Sequence, residues 1–388
     1  MKPKTYDYIF TGGGLAAQLL VYRLTQDAYF KDHRILIIDA EEKSSDDRTW
    51  CFWDTADHEW SALVDKSWNS IYFGHPEGFF DRYALSPMSY HMMRSSTFYQ
   101  FMRQQFEASN QVEWVQATVV GIDDRGDQVL VRTSEDTFTS KKVFSSIYRP
   151  DSLNKQTGYE VLQQHFVGWF VETPQPEFDD QAATFMDFSI PQRGNTRFMY
   201  ILPESPTKAL FEYTLFSERL LKRAEYEAAI ADYLKSKHIT EYTIIEKEQG
   251  CIPMSCYPFH KASSKNVLPI GTAGGWTKPS TGFTFTHSDK QAKNLTVFLK
   301  QQDDLRRFYR RDRFWYYDLL FIDVLSRKNE LGAQLFSTLF KRNEPTRILR
   351  FLNNETQVWE ELKITLSLPP KEFIKAVWNQ LNKKKTAT

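Results

Sequence analysis

The chain of 388 residues is long enough for two or more lobes, each with its own hydrophobic core. Its 49 basic and 49 acidic side chains balance, so the composition gives no reason to expect a nucleic-acid partner. Aromatic residues make up 15% of the chain, which favours an unusually aromatic core, a large apolar cavity or a membrane-facing surface lined with rings.

The cysteines are few and odd in number: Cys51, Cys251 and Cys256. Neither a disulfide framework nor a metal site is predicted from them, and a reducing cytoplasm is the expected compartment. The first predicted strand begins within a few residues of the start, so no signal peptide is expected. The sequence contains no run of about 18 apolar residues, and no membrane-spanning helix is predicted.

The first strong pattern is the stretch from Tyr6 to Leu24, YDYIFTGGGLAAQLLVYRL. A short apolar strand is followed by three glycines and then by an amphipathic helix that runs to about Gln26. Glycines let a backbone approach a ligand closely, and the N-terminus of a helix favours negative charge. The pattern predicts a pyrophosphate site, with an ordinary glycine-rich turn as the alternative. The residues predicted to bind there are Gly12, Gly13, Gly14, Leu15 and Ala16.

A second apolar strand, at 34–39, ends in Asp39. Its offset from the glycine turn is close to the ~20 residues typical of a carboxylate that binds a dinucleotide ribose, and this role is predicted for Asp39. Further along, Arg48 lies in the aromatic segment DRTWCFW at 47–53. An arginine in that setting fits two roles equally well: it clamps an anionic cofactor, or it caps an aromatic cluster.

Hydrophobic periodicity and turn residues predict the elements that follow. An N-capped helix is expected from Ser95, followed by a β-meander that returns to the parallel sheet. Pro174 and Pro176 indicate a crossing between lobes over 150–180. The remaining predictions are strands at 112–115, 117–122, 129–133, 143–147, 196–201, 209–216, 242–247 and 266–270, a helix at 218–237, and a mostly helical tail beyond residue 291.

A second glycine stretch repeats the order of strand and glycines at 267–275 and continues to Phe283, before a helix expected from about Thr284. Two such stretches, one near each end of a chain, are typical of proteins that hold FAD in an extended form. The first takes the pyrophosphate, and the second approaches the ribityl chain and the flavin ring. The residues predicted to bind FAD from the second stretch are Gly271, Thr272, Gly274, Gly275, Thr281, Gly282 and Phe283.

Several of these stretches occur together, in one order, in a known family. They are TGGGLAA at 11–17, DRTWCFW at 47–53, YHMMRS at 90–95, FEYT at 211–214 and GTAGGWTKPSTGFTF at 271–285. In these motifs the chain resembles the bacterial lycopene β-cyclases of the CrtY type, up to about residue 290. The rest of the chain is similar to the family only in its helical, aromatic character.

The resemblance implies an α/β fold of two lobes. It consists of a Rossmann-like FAD-binding domain of the glutathione-reductase type, an inserted antiparallel-sheet substrate domain and a helical C-terminal region. The expected division gives residues 1–150 to the first part of the FAD-binding domain, with an excursion into the substrate lobe around 50–90. Residues 151–262 form the substrate-binding sheet, 263–300 return to the FAD-binding domain, and 301–388 form the helical region.

The resemblance also implies a reaction. A lycopene β-cyclase closes β-ionone rings at the ψ ends of lycopene, giving γ-carotene and then β-carotene without net redox change. The expected cofactor is FAD in its reduced, anionic form, with NAD(P)H as electron donor, and the expected partners are lycopene and other linear carotenes. No nucleic acid, metal or particular oligomeric state is implied.

Substrates of this kind also imply a location. Because a polyene resides in a bilayer, a cytoplasmic protein peripheral to the inner face of the cell membrane is expected. The arginine-rich and aromatic segment 306–340 is a candidate for the contacting surface, with ordinary lid helices as the alternative.

Glu212 is the predicted catalytic residue. The family's motif Phe-Leu-Glu-Glu-Thr falls on LFEYT, so that Glu212 keeps the first glutamate and Tyr213 replaces the second. Protonation of an alkene needs an acid in a site without water. In an alternating strand Glu212 shares a face with Leu210 and Phe216, where loss of solvent would raise its carboxyl pKa. The alternative is a solvated strand glutamate.

Two other functions stay open on the sequence. One is a redox flavoprotein on the same scaffold, a hydroxylase or a prenyl reductase, although the Gly-Asp usual in flavin monooxygenases is Gly271-Thr272 here. The other is a non-catalytic flavin or carotenoid carrier, which would not need Glu212. The rings of Trp50, Phe52 and Trp53 fit either stabilisation of a cation or core packing.

Overall fold

The structure is a computed structural model, and it describes residues 4–148 and 150–386. These residues form three β-sheets and ten α-helices, with short 3₁₀ turns between them. The strands are β1 (Lys4–Thr11), β2 (Ile35–Asp39), β3 (Thr49–Thr55), β4 (Lys66–Trp68), β5 (Ser70–Gly74), β6 (Phe80–Ala84), β7 (Met88–Arg94), β8 (Val112–Gln116), β9 (Val119–Asp124), β10 (Val129–Thr133), β11 (Thr137–Ser145), β12 (Leu162–Glu172), β13 (Ala183–Asp187), β14 (Thr196–Ser205), β15 (Lys208–Ser217), β16 (Thr243–Met254) and β17 (Val267–Pro269). The helices are α1 (Leu15–Gln26), α2 (Ser95–Glu107), α3 (Pro150–Lys155), α4 (Arg223–Ser236), α5 (Phe285–Leu299), α6 (Arg313–Arg327), α7 (Gly332–Arg342), α8 (Pro345–Leu352), α9 (Val358–Ser367) and α10 (Pro370–Thr386).

The first sheet is built on β1, whose apolar residues follow one another without alternation. Ile9 and Phe10 are both fully buried, as expected for a parallel strand that is covered on both faces. β1 pairs in parallel with β2 and β11, β2 pairs with β8, and β11 pairs with β17. β10 and β9 extend the sheet with antiparallel pairing, which confirms the predicted meander.

α1 begins directly after the first glycine turn and packs against α5. Leu19, Leu20 and Leu24 are fully buried and share one core with Phe98 of α2 and Phe285 of α5. Because α5 follows the second glycine stretch in the chain, this packing brings the two glycine stretches together.

The second sheet has the strand order β16-β12-β15-β14-β13-β5-β6, and its central strands are antiparallel. Its side chains alternate between two cores. On one face Val167, Phe211 and Leu215 pack with α4. On the other face Phe170 and Leu210 belong to a core that α6 to α10 complete. The predicted α/β class with a separate antiparallel sheet is confirmed.

The crossing between lobes predicted over 150–180 is shorter than predicted, because residues 162–172 already form β12 of the second sheet. This eleven-residue strand lies between β15 and β16 in the second sheet. Pro174 and Pro176 follow the end of the strand at Glu172, so their backbones interrupt no sheet hydrogen bonds.

Two boundaries in the same sheet also differ from the predictions. The helix predicted at 218–237 begins only at Arg223, because Ser217 is the last residue of β15 and not a helix cap. The strand predicted at 242–247 continues to Met254. A polar run at 246–249 interrupts the apolar residues of that strand, which lies at an edge of the sheet.

A third, smaller sheet joins the two larger ones to the C-terminal helices. Its strand order is β3-β7-β4, and the indole of Trp53 in β3 is buried and donates a hydrogen bond to the carbonyl of Leu349 in α8 (2.9 Å). Phe314, Leu325 and Phe336 of α6 and α7 are buried in the protein. The segment 306–340 therefore presents its apolar side chains to the core, which favours the alternative to a membrane surface there.

The described residues contain three free cysteines. Among these same residues, no helix is long and apolar enough to cross a membrane, and no group of His, Cys, Asp or Glu side chains is arranged to hold a metal ion.

Candidate active site

A cavity of about 450 Å³ lies where the glycine stretches of the first sheet meet β3 and the central strands of the second sheet. Two kinds of residue line it. Glycines and polar side chains in the loops of the first sheet form one side, and apolar side chains, mainly of the second sheet, form the other. The predicted cofactor residues that line the cavity are Gly14, Leu15, Ala16, Arg48, Gly271, Thr272, Thr281, Gly282 and Phe283.

The three glycines of the first turn differ in the space that surrounds their Cα atoms. Gly12 has φ +93°, and a Cβ there would lie 2.2 Å from the hydroxyl of Ser146. At Gly13 it would lie 2.4 Å from the ring of Trp114. A Cβ at Gly14 would have none of the described atoms within 4 Å. Gly12 and Gly13 thus serve the packing of the protein itself, whereas Gly14 leaves open space beside the cavity.

Asp39 holds the first turn from the end of β2. Its carboxylate accepts hydrogen bonds from the backbone N–H of Gly13 (2.6 Å) and of Glu41 (2.8 Å). Asp39 therefore lies next to the turn, as the sequence predicts, although it does not line the cavity. Its contact with a ribose stays a prediction.

The second glycine stretch contacts the first. Gly271 has φ +60°, and a Cβ there would lie 3.1 Å from that of Ala16. Gly274 and Gly275 do not line the cavity. A Cβ at Gly274 would lie 2.3 Å from the carbonyl oxygen of Pro269, so this glycine is needed for close packing of the chain on itself.

The cavity wall is suited to a polar, anionic ligand on this side. The Oγ1 of Thr281 and the Oε1 of Gln164 are buried and have no hydrogen-bond partner among the described residues. A buried polar group left without a partner costs about 1–3 kcal/mol, which a bound ligand would offset. Within the described chain, no side chain caps α1 at Gly14, so its first N–H groups are open to an anion.

Arg48 and the three aromatic residues that follow it lie in different parts of the structure, at the cavity or in the core. Arg48 is exposed and lines the cavity together with Trp50. Phe52 stacks on Phe285 with ring centroids 4.5 Å apart, and Trp53 lies in the core. Arg48 is thus placed to meet an anionic group, and of the three rings Trp50 alone borders the cavity.

Glu212 lies in the middle of β15 and faces the cavity. Its residue is 8% exposed, and its Oε1 accepts a hydrogen bond from the hydroxyl of Thr214 (2.6 Å). Leu210 and Phe216 line the cavity beside it. Tyr213 points to the opposite face, where its hydroxyl accepts a hydrogen bond from Arg197 (2.9 Å). The predicted alternation along this strand is confirmed.

Burial raises the pKa of the Glu212 carboxyl well above its usual range, and the negative charge of Glu248 adds to this. A raised pKa means that the carboxyl keeps its proton at a higher pH than an exposed glutamate does. The cavity therefore contains a carboxyl group that favours its protonated form and can act as a proton donor.

Glu248 is a site residue that the sequence analysis missed. It lies in β16, just beyond the predicted end of that strand, and lines the same cavity. Its Oε2 accepts a hydrogen bond from the hydroxyl of Thr49 (2.8 Å). No local pattern in the sequence marks this residue, because positions 246–249 are all polar and the half-buried face of β16 exists only in the folded sheet.

Comparison with known proteins bears on this site. The model of the family described as lycopene cyclase protein matches residues 7–377. A lycopene β-cyclase of Pantoea ananas is 26% identical over 302 residues, covering 75% of this chain and 74% of that protein. One of a Paracoccus species is 25% identical over 389 residues, covering 94% and 95%.

Solved structures show the same fold at low sequence identity. A geranylgeranyl bacteriochlorophyll reductase-like protein of Thermoplasma acidophilum has a TM-score of 0.63 at 11% identity, with 97% of this chain and 99% of that chain covered. A flavoprotein/dehydrogenase of Cytophaga hutchinsonii also has a TM-score of 0.63 at 11% identity, with 90% and 93% covered.

Proposed function

The chain belongs to the lycopene cyclase protein family, and from that premise we propose that it is a lycopene β-cyclase. The proposed reaction closes a β-ionone ring at a ψ end of lycopene, first to γ-carotene and then to β-carotene. A proton adds to the terminal double bond, a neighbouring alkene attacks the cation, and a proton leaves the ring. The observation that carries the proposal is a buried carboxylic acid, Glu212, on the wall of a largely apolar cavity.

FAD is the proposed cofactor. The residues that would hold it are the open N-terminus of α1 at Gly14 and Arg48 for the pyrophosphate, and Gly271, Thr272 and Thr281 nearer the flavin. The unpartnered hydroxyl of Thr281 supports this assignment. In its reduced, anionic form, made with electrons from NAD(P)H, bound FAD would supply negative charge beside a developing cation.

Glu212 is proposed to move the proton. Its raised pKa keeps it protonated near neutral pH, and Leu210 and Phe216 exclude water that would trap the cation. Thr214 holds one oxygen of the carboxyl group, which fixes its direction relative to the cavity. The proton that leaves the ring restores the acid, so the residue ends each cycle as it began.

Gly14→Val should abolish the retention of FAD without unfolding the protein. No described atom lies within 4 Å of the Cβ position, so the new side chain would fill ligand space only. Flavin absorbance after gel filtration and the far-ultraviolet circular dichroism measure the two effects. Gly158→Val is the matched control, since the nearest atom to its Cβ position, an oxygen of Gln156, is 3.9 Å away and the site is outside the cavity. Full flavin content in Gly14→Val would contradict the proposed pyrophosphate site.

Cyclisation by the reduced holoenzyme should leave product and lycopene at the same oxidation level. Addition of one proton and loss of another conserves the mass of the carotene, which mass spectrometry measures directly. Consumption of NAD(P)H should fall far below one equivalent per ring. One equivalent per ring, or oxygen in the product, would favour a redox flavoprotein instead.

Glu212→Gln should keep the fold and the flavin, because the two side chains have nearly the same shape. It should lose the acid–base step, which is typically worth a factor of ~10²–10⁴ in rate. Pigment analysis of cells that accumulate lycopene, followed by single-turnover rates with the purified protein, measures the loss.

Tyr213→Phe is the control for the opposite face of the strand. It removes the hydrogen bond from Arg197, which lowers stability, but it leaves the cavity unchanged. Near wild-type β-carotene from Glu212→Gln, or a larger loss of rate in Tyr213→Phe than in Glu212→Gln, would refute the proposed role of Glu212.

We further propose that α9 and α10 form the surface that meets the membrane, in place of the segment 306–340. Both helices expose apolar side chains spaced three or four residues apart, with exposed fractions between 42% and 74%. Such a face is suited to the boundary between headgroups and acyl chains, and an apolar carotene resides in that bilayer. The residues of this α9–α10 face are Val358, Trp359, Leu362, Leu366, Ile374, Val377, Trp378 and Leu381.

The charges of these helices favour an anionic lipid surface as the partner. The acidic side chains pair with arginines of the protein: Glu360 with Arg350, Glu361 with Arg313 and Glu372 with Arg327. Three of the lysines are exposed instead, and Lys363 lies over the ring of Trp359, whereas Lys383 pairs with Glu160. Exposed basic and apolar side chains together are the pattern that anionic membranes attract. The exposed lysines are Lys363, Lys371 and Lys375.

The double variant Trp359→Gln/Trp378→Gln should reduce binding to vesicles of phosphatidylglycerol and phosphatidylcholine at least several-fold in a flotation assay. The matched control, Tyr29→Gln/Val120→Gln, removes two side chains of similar exposure, one from the turn after α1 and one from β9, and should bind as the wild type does. Equal binding by both double variants would refute this surface. Gel filtration of wild type and variants tests the other occupant, a second copy of the chain.

A further inference from the structure

Three adjacent strands place two glutamates over one glycine. Gly168 of β12 is in register with Glu212 of β15 on one side and with Glu248 of β16 on the other. Residues in register on neighbouring strands point to the same face of a sheet. Both glutamates therefore rise from the face that lines the cavity, with the bare backbone of Gly168 between them.

The two glutamates can approach one another because Gly168, which lies between them, has no side chain. Strands two apart in a sheet are separated by ~10 Å, twice the usual spacing of about 4.8 Å. A Cβ at Gly168 would lie 3.0 Å from the Cγ of Glu248 and 2.8 Å from a methyl carbon of Leu210. The side chain of Glu248 thus already occupies the space above the glycine, and its carboxyl group is close enough to that of Glu212 for each to shift the pKa of the other.

Two carboxyl groups in such a contact need a proton between them, because two carboxylates would repel one another. The remaining oxygens are held by separate hydroxyl groups. Thr214 donates to Glu212 (2.6 Å), and Thr49 donates to Glu248 (2.8 Å). The arrangement has the form of a carboxylic acid that donates to a neighbouring carboxylate.

The surroundings decide which of the two keeps the proton. The guanidinium of Arg94 and the hydroxyl of Thr49 favour the anion of Glu248, and both counter the effect of burial on its pKa. Among the described residues that shift the pKa of Glu212, none is a cation. Burial and the charge of Glu248 raise this pKa. Burial also raises the pKa of Cys51 and Tyr90, so both stay neutral. The titratable and charged groups that face the pair are Cys51, Tyr90, Arg94, Tyr200 and Glu246.

We propose that Glu248 is a positioning residue that shares a single proton with Glu212 across Gly168 and holds that proton on the catalytic carboxyl. This inference rests on the proposed function, and it supplies a second carboxylate in a chain whose motif has Tyr213 where the family has its second glutamate. Glu248 returns no proton to the substrate, and its charge acts through Glu212.

Glu248→Gln tests the proposal through the pH profile. The amide keeps the size of the side chain but removes the charge, so the pKa of Glu212 should fall. Because the reaction needs protonated Glu212, activity at high pH should be lost at a correspondingly lower pH, whereas the rate at low pH should be retained. Glu227→Gln, at a half-buried glutamate of α4 that is bonded to Lys247 outside the cavity, is the control and should leave the profile unchanged.

A second variant and a spectroscopic measurement separate this proposal from the proposed function. Gly168→Ala would push Glu248 away from Glu212 and should shift the profile in the same direction. Infrared titration of the purified holoenzyme reports the protonated carboxyl directly, without any substrate. A protonated-acid band that persists above neutral pH, disappears in Glu212→Gln and titrates at lower pH in Glu248→Gln is the expected result.

Each outcome has a definite meaning. If that band is found but lycopene is not cyclised, the carboxyl pair stands and the proposed function falls. If lycopene is cyclised but neither the pH profile nor the band moves in Glu248→Gln, the sharing of the proton is refuted and the function stands. A uniform loss of rate at every pH, with an unmoved band, would likewise refute it, because a purely structural role gives that result.

Discussion

The contact between the carboxyl groups of Glu212 and Glu248 is the interaction on which the site depends. It requires β12, β15 and β16 to be in one register, with glycine at the single position between the two acids. A slip of one residue in any of these strands would turn a glutamate to the opposite face. The register is specified by the two cores of the sheet, since α4 covers one face and the C-terminal helices complete the core on the other. Packing far from the cavity thus sets the distance between the acids.

A second constraint is that the acid and the cofactor groove must share one cavity although they belong to different sheets. The packing of α1 on α5 achieves this, because it brings Ala16 of the first glycine stretch against Gly271 of the second. Thr49 then connects the two sides. It lies in β3, one residue after Arg48 at the cavity wall, and its hydroxyl binds Glu248 of the second sheet. A single loop segment thus contributes both to the anionic side of the cavity and to the acid pair.

The sequence predicts those parts of the site that depend on local pattern. Strand, glycines and helix adjoin one another in the chain, so the first turn was predictable, and alternation along β15 was enough to turn Glu212 to the cavity and Tyr213 away from it. The acid pair was not predictable in this way. It depends on β12, whose Gly168 weakens a strand pattern and whose end is followed closely by prolines. It also depends on Glu248, whose polar edge strand resembles a solvated segment, and whose distance from Glu212 is fixed only by the assembled sheet.

The acid pair also resolves a difficulty in the proposed chemistry. A carboxyl group with a raised pKa keeps its proton at neutral pH, but it is for the same reason a weaker acid toward an alkene. Once Glu212 has given up its proton, however, its own carboxylate faces the cation, and their attraction is strong where little water is present. The repulsion between this carboxylate and that of Glu248 then favours return of a proton to Glu212, which is the step that ends ring closure. The charge of Glu248 that retains the proton before the reaction therefore also promotes the deprotonation that ends it.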